Sequence, residues 1–293
     1  FKNDYSEGAH PDILASLVRT NLDQQDGYGE DAFSLQAAQL IKQKIGREDI
    51  DVHFLTGGTQ TNLTAISAFL RPHEAAISAN TGHVLVHETG AIEATGHKVI
   101  SVDSSNGKLT AEQVRAVVTG HGDEHMVKPR LVYLSQPTEV GTIYSRLEME
   151  QINRVCRELG LWLFVDGARL GSALCAAGND LTLPVLAELV DAFYIGGTKN
   201  GALLGEALVI RAEGLKADFR YHMKQKGALL AKGRLIGTQF LTLFSGDLYF
   251  ELARHANRLA DQIRQELAQM GYRFLIDSPT NQIFPILPNR VID

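Results

Sequence analysis

The sequence has few cysteines, no strong charge bias and no long apolar run. Its 293 residues include two cysteines, Cys156 and Cys175, which argues against a disulfide scaffold and fits a reducing, cytoplasmic environment. Lysine and arginine number 28 against 34 acidic residues, a net charge of −6 without a basic block, so we expect no nucleic-acid partner. No apolar stretch approaches the ~20 residues that span a bilayer, so we expect no membrane span either.

The remaining composition is that of an ordinary globular chain. Hydrophobic residues make up 44% and charged residues 21%, which excludes a disordered or fibrous protein. At about 150 residues per domain, the length suggests about two domains. The first residues do not form a signal peptide. The last ones stop just after a strand-like run, without a closing helix, so we expect further C-terminal residues in the whole protein.

Helical and extended patterns alternate along most of the chain. Helical periodicity covers residues 10–22, 31–45 and 60–70, and a helical region runs from 213 to about 270. The strand-like segments are short, and those in the middle of the chain are apolar on both faces, as a doubly covered sheet requires. They lie at residues 51–55, 75–78, 98–102, 131–134, 161–165, 192–195 and 207–210.

This alternation predicts an α/β fold with a mostly parallel sheet covered by helices on both faces. The connection from residue 195 to residue 207 is short enough for a hairpin, so we expect one antiparallel strand. Residues 1–245 are assigned to an N-terminal arm and a large α/β domain. Short strands near 272–275 and 282–286 follow a long helix, so residues 246–293 are expected to begin a smaller, incomplete α+β domain.

Residues 56–62, TGGTQTN, lie between a strand and a helix. Gly57 and Gly58 let the backbone approach a ligand, and the start of the helix offers unpaired N–H groups and the positive end of its dipole. The segment therefore predicts a phosphate-binding cup. It is neither a Walker A loop nor a G-x-G-x-x-G fingerprint, which argues against a nucleoside triphosphate or a dinucleotide. A tight turn with a helix cap is the alternative interpretation.

Charged residues follow two later strands. Asp166 comes directly after the apolar strand 161–165, at the carboxyl end where open α/β sheets bind ligands, and Arg169 is three residues further on. A surface ion pair beside a turn is the alternative. Lys199 lies in GGTKNG, residues 196–201, where small neighbours leave room for a flat ligand. An ordinary solvent-exposed loop lysine is the alternative there.

A phosphate cup, an aspartate and a glycine-flanked lysine, in this order on an α/β sheet, match the needs of pyridoxal 5'-phosphate. Its phosphate needs a helix N-terminus, its aldehyde needs an amine to form a Schiff base, and its ring nitrogen needs a carboxylate to stay protonated. The three patterns together predict a pyridoxal-phosphate enzyme. No metal is expected at this site.

The chain resembles the threonine aldolase and β-eliminating lyase family of fold-type-I pyridoxal-phosphate enzymes. The resemblance covers essentially the whole sequence and rests on NDYSEG at residues 3–8, GTQTN at 58–62, HETGAIE at 87–93 and VDGAR at 165–169. It implies a mostly parallel seven-stranded sheet and active sites shared between the subunits of a homodimer or homotetramer. It also implies retro-aldol cleavage of L-threonine, L-allo-threonine or a related β-hydroxy-α-amino acid to glycine and an aldehyde.

The resemblance assigns roles to residues that match the family motifs. Lys199 is expected to form the Schiff base and Asp166 to partner the pyridine nitrogen. Arg169 is expected to bind the substrate carboxylate and to be among the cofactor contacts. Gly58 and Thr59 are expected to hold the phosphate.

Further residues are assigned from the same resemblance. His83 matches a family histidine over the cofactor ring, where it would stack or move a proton, although a core histidine is the alternative. A looser match places Lys226 and Arg234 near the phosphate of a neighbouring subunit, with ordinary surface charge as the alternative.

The sequence departs from the family pattern in three places. Asn3 stands where many members have a serine that touches the substrate carboxylate, so we count it as substrate-binding. Glu139 stands where many members have a second histidine, and a carboxylate of suitable pKa can also act as a base. An arginine that binds the substrate carboxylate in relatives would lie beyond the end of this sequence.

Two other functions remain open. A β-eliminating lyase or a small-amino-acid transaminase would begin with the same cofactor and the same motifs. A homologue that only binds the cofactor, without turnover, is an alternative from a different class. Lys199 argues against it, because an inactive protein has no need of that lysine.

Overall fold

The fold was obtained as a computed structural model, which describes residues 3–288. The outer ends of the two expected domains, residues 1–2 and 289–293, lie outside this range. The helices are α1 (Pro11–Arg19), α2 (Ala32–Ile45), α3 (Gly58–Phe69), α4 (His83–Val86), α5 (Ala111–Gly120), α6 (Arg146–Leu159), α7 (Leu170–Leu174), α8 (Leu183–Leu189), α9 (Phe219–Gln225), α10 (Arg234–Phe244) and α11 (Leu248–Gln269). The strands are β1 (Asp51–Leu55), β2 (Glu74–Ala79), β3 (Val99–Val102), β4 (Lys128–Ser135), β5 (Trp162–Asp166), β6 (Ala192–Gly196), β7 (Glu206–Ile210), β8 (Arg273–Phe274) and β9 (Pro285–Ile286).

The main sheet has seven strands in the order β1-β7-β6-β5-β4-β2-β3. β7 runs antiparallel to both of its neighbours, and the pairings among β6, β5, β4, β2 and β3 are parallel. The predicted mostly parallel seven-stranded sheet with one antiparallel strand is therefore confirmed. The hairpin from β6 to β7 provides that antiparallel strand, because nine residues leave no room for a crossover helix.

Both faces of the sheet are buried. Alternate side chains of a strand point to opposite faces, so a strand in such a sheet contributes to two apolar clusters. In β4, Val132 and Leu134 belong to one apolar cluster, whereas Leu131 and Tyr133 belong to another on the opposite face. The strands are therefore apolar at successive positions rather than at every second one, as expected for a sheet covered by helices on both sides.

Local sequence signals fix several helix ends. Ser145 and Glu148 form a capping box at the start of α6, and Gly160 ends that helix in the left-handed conformation with φ of 66°. The helix that follows β1 begins at Gly58, two residues earlier than its periodicity predicted, because glycine and threonine carry no apolar signal. The backbone of the predicted phosphate cup is therefore the first turn of α3.

The last part of the described chain differs in detail from its pattern. The helical region predicted from 213 to about 270 is a short 3₁₀ helix (Glu213–Leu215) followed by three α-helices, and Gly227, with φ of 69°, follows the end of α9. β8 and β9 pair as a separate antiparallel ribbon of two residues each. The division of the chain near residue 245 into a large and a small domain stays a prediction.

Within residues 3–288, no helix combines the length and the apolar character needed to cross a membrane.

Packing at the centre of the sheet predicts a large effect of one substitution. Leu163 on β5 is completely buried, whereas Leu147 on α6 is 61% exposed. We expect Leu163→Ala to lower the free energy of unfolding by about 2–5 kcal/mol, because deleting buried methyl groups leaves a cavity. Leu147→Ala is the matched control and should change that free energy by less than about 0.5 kcal/mol. Urea denaturation measures both, and equal losses would contradict the assignment of the core.

Candidate active site

One cavity lies at the edge of the sheet where the parallel strands end. It has a volume of about 570 Å³, within the range typical of small-molecule sites. The loops that follow β1, β2, β4, β5 and β6 all reach it, because parallel strands bring their carboxyl ends to one edge. Six residues predicted from the sequence line this cavity: Gly58, Thr59, His83, Glu139, Arg169 and Lys199.

The first turn of α3 forms one wall of the cavity. Gly57 precedes the helix in an extended conformation, and no side chain caps the helix start. Gly57, Gly58 and Thr59 line the cavity, so the unpaired N–H groups of this turn face an open volume. A Cβ atom on Gly58 would lie 3.1 Å from the Tyr194 hydroxyl, a tight contact, so glycine favours this close approach of the helix to β6.

Asp166 is the last residue of β5 and is only 4% exposed. Its Oδ2 accepts hydrogen bonds from the Tyr133 hydroxyl at 2.5 Å and from Asn62 Nδ2 at 2.9 Å. Its Oδ1 accepts from the backbone N–H of Ala168 at 3.0 Å. Burial alone would raise the pKa of this carboxyl, but the hydroxyls of Tyr133 and Tyr194 and the amide of Asn62 outweigh burial and hold the pKa below its usual value. Asp166 is therefore a stable anion beneath the cavity.

Lys199 lies in the turn that follows β6. Its Nζ is 5.8 Å from the centroid of the Tyr5 ring, which belongs to the N-terminal arm. Burial and the guanidinium of Arg169 hold the pKa of Lys199 below its usual value, against the opposing charges of nearby carboxylates. A lysine of lowered pKa has more of its amine in the neutral form, which is the form that attacks a carbonyl group.

His83 and Asp166 are linked through residues to which the sequence assigned no role. His83 Nδ1 lies 2.7 Å from Glu88 Oε1, and Asn62 Nδ2 donates to the same oxygen at 2.7 Å and to Asp166. Because a carboxylate accepts hydrogen bonds, we assign the proton to Nδ1, which leaves the other ring nitrogen of His83 as the acceptor. Burial lowers the pKa of His83, but the Glu88 carboxylate and the charge of Asp166 outweigh burial and raise it.

Glu139 lies beside His83 on the loop after β4. Its Oε1 accepts from the Ser135 hydroxyl at 2.5 Å and from the backbone N–H of His83 at 2.9 Å. Among the described residues, its Oε2 is buried without a hydrogen-bond partner. Burial raises the pKa of Glu139 above its usual value, against the hydrogen bond from Ser135. The carboxyl can therefore keep a proton to a higher pH than an exposed glutamate.

Arg169 is held by the N-terminal arm. Its Nε donates to Asp4 Oδ2 at 2.6 Å and its second terminal nitrogen donates to Asp4 Oδ1 at 3.1 Å. Asn281, from the C-terminal segment, donates to the same carboxylate at 3.0 Å. Burial would raise the pKa of Asp4, but its pairing with Arg169 keeps that pKa below its usual value. This bidentate geometry is the one in which arginine recognises a carboxylate.

Four predicted site residues do not line the cavity: Asp166, which is buried beneath it, and Asn3, Lys226 and Arg234. Asn3 is exposed, and its Oδ1 accepts from Tyr5 N–H and the Ser6 hydroxyl. The backbone carbonyl of Lys226 lies 3.5 Å from Gln60 Nε2, close to the start of α3. Arg234 donates to the backbone carbonyls of Thr20 and Asp23. The prediction that Lys226 and Arg234 reach a neighbouring subunit, and the substrate-binding prediction for Asn3, stay predictions.

Several functional groups at this site were missed in the sequence. Asn62 and Glu88 both lie within segments that carry the family resemblance, and the spacing of Glu88 five residues after His83 was a signal that could have been read. Asp4 also lies in such a segment, NDYSEG, but its contact with Arg169 depends on the course of the arm. Tyr133 and Glu206 had no local signal, and they come to the site only through the pairing of strands.

A lysine, a buried carboxylate and an uncapped helix start, at the carboxyl edge of a mostly parallel sheet, are the features of a fold-type-I pyridoxal-phosphate enzyme. The model of the beta-eliminating lyase family matches residues 8–288, and the chain belongs to this family. Both this family and its fold are pyridoxal-phosphate-dependent in general. The predicted family is therefore confirmed.

Individual relatives agree with this assignment. The chain is 32% identical to the low specificity L-threonine aldolase of Pseudomonas aeruginosa, over 100% of this chain and 85% of that protein. The solved structure of a threonine aldolase from Leishmania major is 50% identical, with a TM-score of 0.98 over 99% of this chain and 85% of that one. An aspartate aminotransferase from Thermus thermophilus, at 16% identity and a TM-score of 0.74 over 94% of this chain and 73% of that one, shares the fold.

The contact between His83 and Glu88 predicts a titration change. Glu88→Gln removes the carboxylate that raises the pKa of His83, so we expect that pKa to fall and the imidazolium to lose its proton at a lower pH. Proton NMR of the His83 ring across a pH series measures this shift. Glu93→Gln, at an exposed acidic residue in the same segment, is the matched control and should leave the titration unchanged. An unchanged His83 titration in Glu88→Gln would contradict the assigned contact.

Proposed function

We propose that this protein is a pyridoxal-phosphate-dependent aldehyde-lyase that cleaves L-threonine, L-allo-threonine or a related β-hydroxy-α-amino acid to glycine and an aldehyde. The observation that carries the proposal is the meeting of Lys199 and the first turn of α3 around one cavity, with Asp166 buried beneath that cavity at the end of β5. Full-length relatives that are named low specificity L-threonine aldolase support the aldolase reaction over elimination or transamination.

The residues present fit pyridoxal phosphate. The uncapped N–H groups of Gly58 and Thr59 would hold its phosphate, because a helix start binds anions. Asp166 Oδ1 accepts one hydrogen bond, from Ala168, and would take the N–H of the pyridine ring as well. Lys199 would form the covalent link. When bound, the cofactor supplies an electron sink for the carbon whose bond is broken.

The substrate carboxylate would bind at Arg169. Two of the guanidinium nitrogens already hold Asp4, and the remaining N–H groups are available for a second carboxylate. Asp4 therefore orients the guanidinium, and the negative charge of Asp4 offsets its positive charge. Because the net charge of the pair is close to zero, recognition of the substrate would depend on the direction of the N–H groups more than on long-range attraction.

Cleavage of the bond between Cα and Cβ requires the β-hydroxyl to lose a proton. His83 is the better candidate to accept it, because Glu88 holds Nδ1 and leaves the other ring nitrogen free. Glu139 contacts the same turn and has an unpaired, buried Oε2, so it would hold or return a proton beside His83. Both side chains line the cavity.

We extend the proposal to a homodimer or homotetramer that works in the cytoplasm. Leu14 and Val18, on α1, and Leu22, just beyond it, are exposed apolar side chains on one segment, and a second copy of the chain would cover such a surface. The paucity of cysteine supports the reducing compartment.

A product assay with L-threonine and L-allo-threonine tests the reaction. We expect glycine and acetaldehyde in equal amounts from the parental enzyme loaded with pyridoxal phosphate. Lys199→Ala should lose nearly all turnover and the visible absorbance band of the lysine–cofactor link. Lys98→Ala, at an exposed lysine, is the matched control and should retain both. Release of pyruvate from serine without glycine from threonine would replace the aldolase with an eliminating lyase.

Loss of the proposed proton acceptor predicts a defect in turnover. We expect His83→Asn to slow threonine cleavage by about 10²–10⁴-fold if His83 acts alone, while the visible band of the bound cofactor stays nearly unchanged. Glu139→Gln should have a smaller effect, and the double variant should be non-additive if the two share the proton. Steady-state rates across a pH series measure these effects. Parental rates in both single variants and in the double variant would exclude both residues.

A further inference from the structure

A buried glutamate next to the Lys199 turn has no part in the function proposed above. Glu206 is the first residue of β7 and is 3% exposed. In the antiparallel pairing of β6 with β7 it lies directly opposite Gly196. The hairpin loop that carries Lys199 therefore leaves the sheet at Gly196 and returns to it at Glu206, and Glu206 also lines the cavity.

The Glu206 side chain points back to the two residues that precede Lys199. Its Oε2 accepts from the backbone N–H of Gly197 at 3.1 Å, and its Oε1 accepts from the Thr198 hydroxyl at 2.9 Å. The Thr198 oxygen in turn accepts from the N–H of Gly205 at 3.0 Å. The carboxyl group therefore holds the start of the turn, and the backbone N–H groups of Gly197 and Thr198 also donate to the Gly205 carbonyl at its end. Together these bonds fix where the Lys199 backbone lies.

We propose that Glu206 is a positioning residue with two effects. It fixes the turn that carries Lys199, and the charge of the Glu206 carboxyl influences whether the Lys199 amine is protonated. The proposal rests on the proposed function, in which Lys199 reacts with the cofactor aldehyde. A hydrogen-bonding role alone could be met by an amide or a hydroxyl. A buried carboxyl near the Lys199 amine can also carry a negative charge, and an amide or a hydroxyl cannot.

The charges around this pair determine the sign of the effect. Burial and the charge of Asp166 raise the pKa of Glu206 to about 8. Above that pH the Glu206 carboxylate is ionised and raises the pKa of Lys199, whereas below it the carboxyl is neutral and has no such effect. Other titratable groups also face this pair, from the arm, from β5 and its loop, from α4, from β6 and from α11: Asp4, Tyr5, Asp166, Arg169, His83, Tyr194 and Tyr249.

The reactivity of Lys199 itself tests the proposal. The cofactor-free protein is mixed with pyridoxal 5'-phosphate across a pH series, the adducts are trapped with borohydride, and the peptide that contains Lys199 is quantified by mass spectrometry. Glu206→Gln should match the parental rate at neutral pH. Above about pH 8, where the amine is still partly protonated, it should react roughly threefold faster, which corresponds to a shift of about half a pH unit. Coinciding profiles at every pH would overturn the electrostatic part of the proposal.

Two further variants separate charge from hydrogen bonding. Thr198→Val removes the hydroxyl but keeps the Glu206 charge, so it should lower the rate of Lys199 modification at every pH without moving the midpoint. A parental rate in Thr198→Val would overturn the positioning part. Glu74→Gln is the matched control, because Glu74 is also buried but lies at the start of β2, on the opposite edge of the sheet. It should leave the profile unchanged.

The parental protein supplies a test that does not require the Gln variant to fold. Its Lys199 profile should show an inflection near pH 8 in addition to the titration of the amine, and a single titration would overturn the proposal. If other lysines are modified and Lys199 is not modified at any pH, the proposed function fails. If Lys199 is modified and the parental and Glu206→Gln profiles coincide, the inference about Glu206 fails alone.

Discussion

An ionised carboxylate buried at the end of β5 is the constraint on which this site depends. Removing a charge from water is costly unless hydrogen bonds replace the lost solvation. Asp166 receives that replacement from three directions, with Tyr133 on β4, Asn62 on α3 and the backbone of its own turn. The register of β4 against β5 and the position of α3 must therefore be correct before this anion is stable, so the fold and the site are stabilised by the same contacts.

The charge of Asp166 also influences its neighbours. Burial raises the pKa of Glu139 and of Glu206, which have fewer hydrogen-bond donors, and the charge of Asp166 adds to that rise. The same charge supports the protonated form of His83. Carboxyl groups of similar chemistry therefore differ in protonation because their surroundings differ. One remains an anion that can partner a ring nitrogen, Glu206 can keep a proton at neutral pH, and Glu139 keeps a proton to a higher pH than an exposed glutamate does. This division of roles is what acid–base chemistry on a bound amino acid requires.

Chain segments that are far apart in the sequence close the other side of the cavity. The arm brings Asp4 to Arg169, and the C-terminal segment brings Asn281 to the same carboxylate. Ser278 donates to the backbone carbonyl of Gly141, on the loop that also carries Glu139, and a Cβ on Gly141 would lie only 2.4 Å from the Ser278 oxygen. The loops of the sheet edge are therefore held from outside the sheet as well as from within it.

The sequence by itself determined the fold class, the seven strands and the residues with local signals. Continuous apolar strands, strand–helix alternation and the short connection before β7 were sufficient for the sheet. Three local patterns were sufficient to predict a pyridoxal-phosphate site at Gly58, Asp166 and Lys199. They are glycines beside a helix start, an aspartate after a strand and a lysine among small residues. Each of these signals is short-range, so it can be read along the chain.

The tertiary structure alone decided which groups support those residues. Asp4 contacts Arg169 across 165 positions of the chain, and Tyr133 reaches Asp166 across 33. Glu206 faces the Lys199 turn because β6 and β7 pair in one particular register. The protonation of each carboxyl likewise depends on its burial and on its donors. Spacing in the sequence carries no measure of burial or of distance between segments, and these two quantities set the electrostatics of the site.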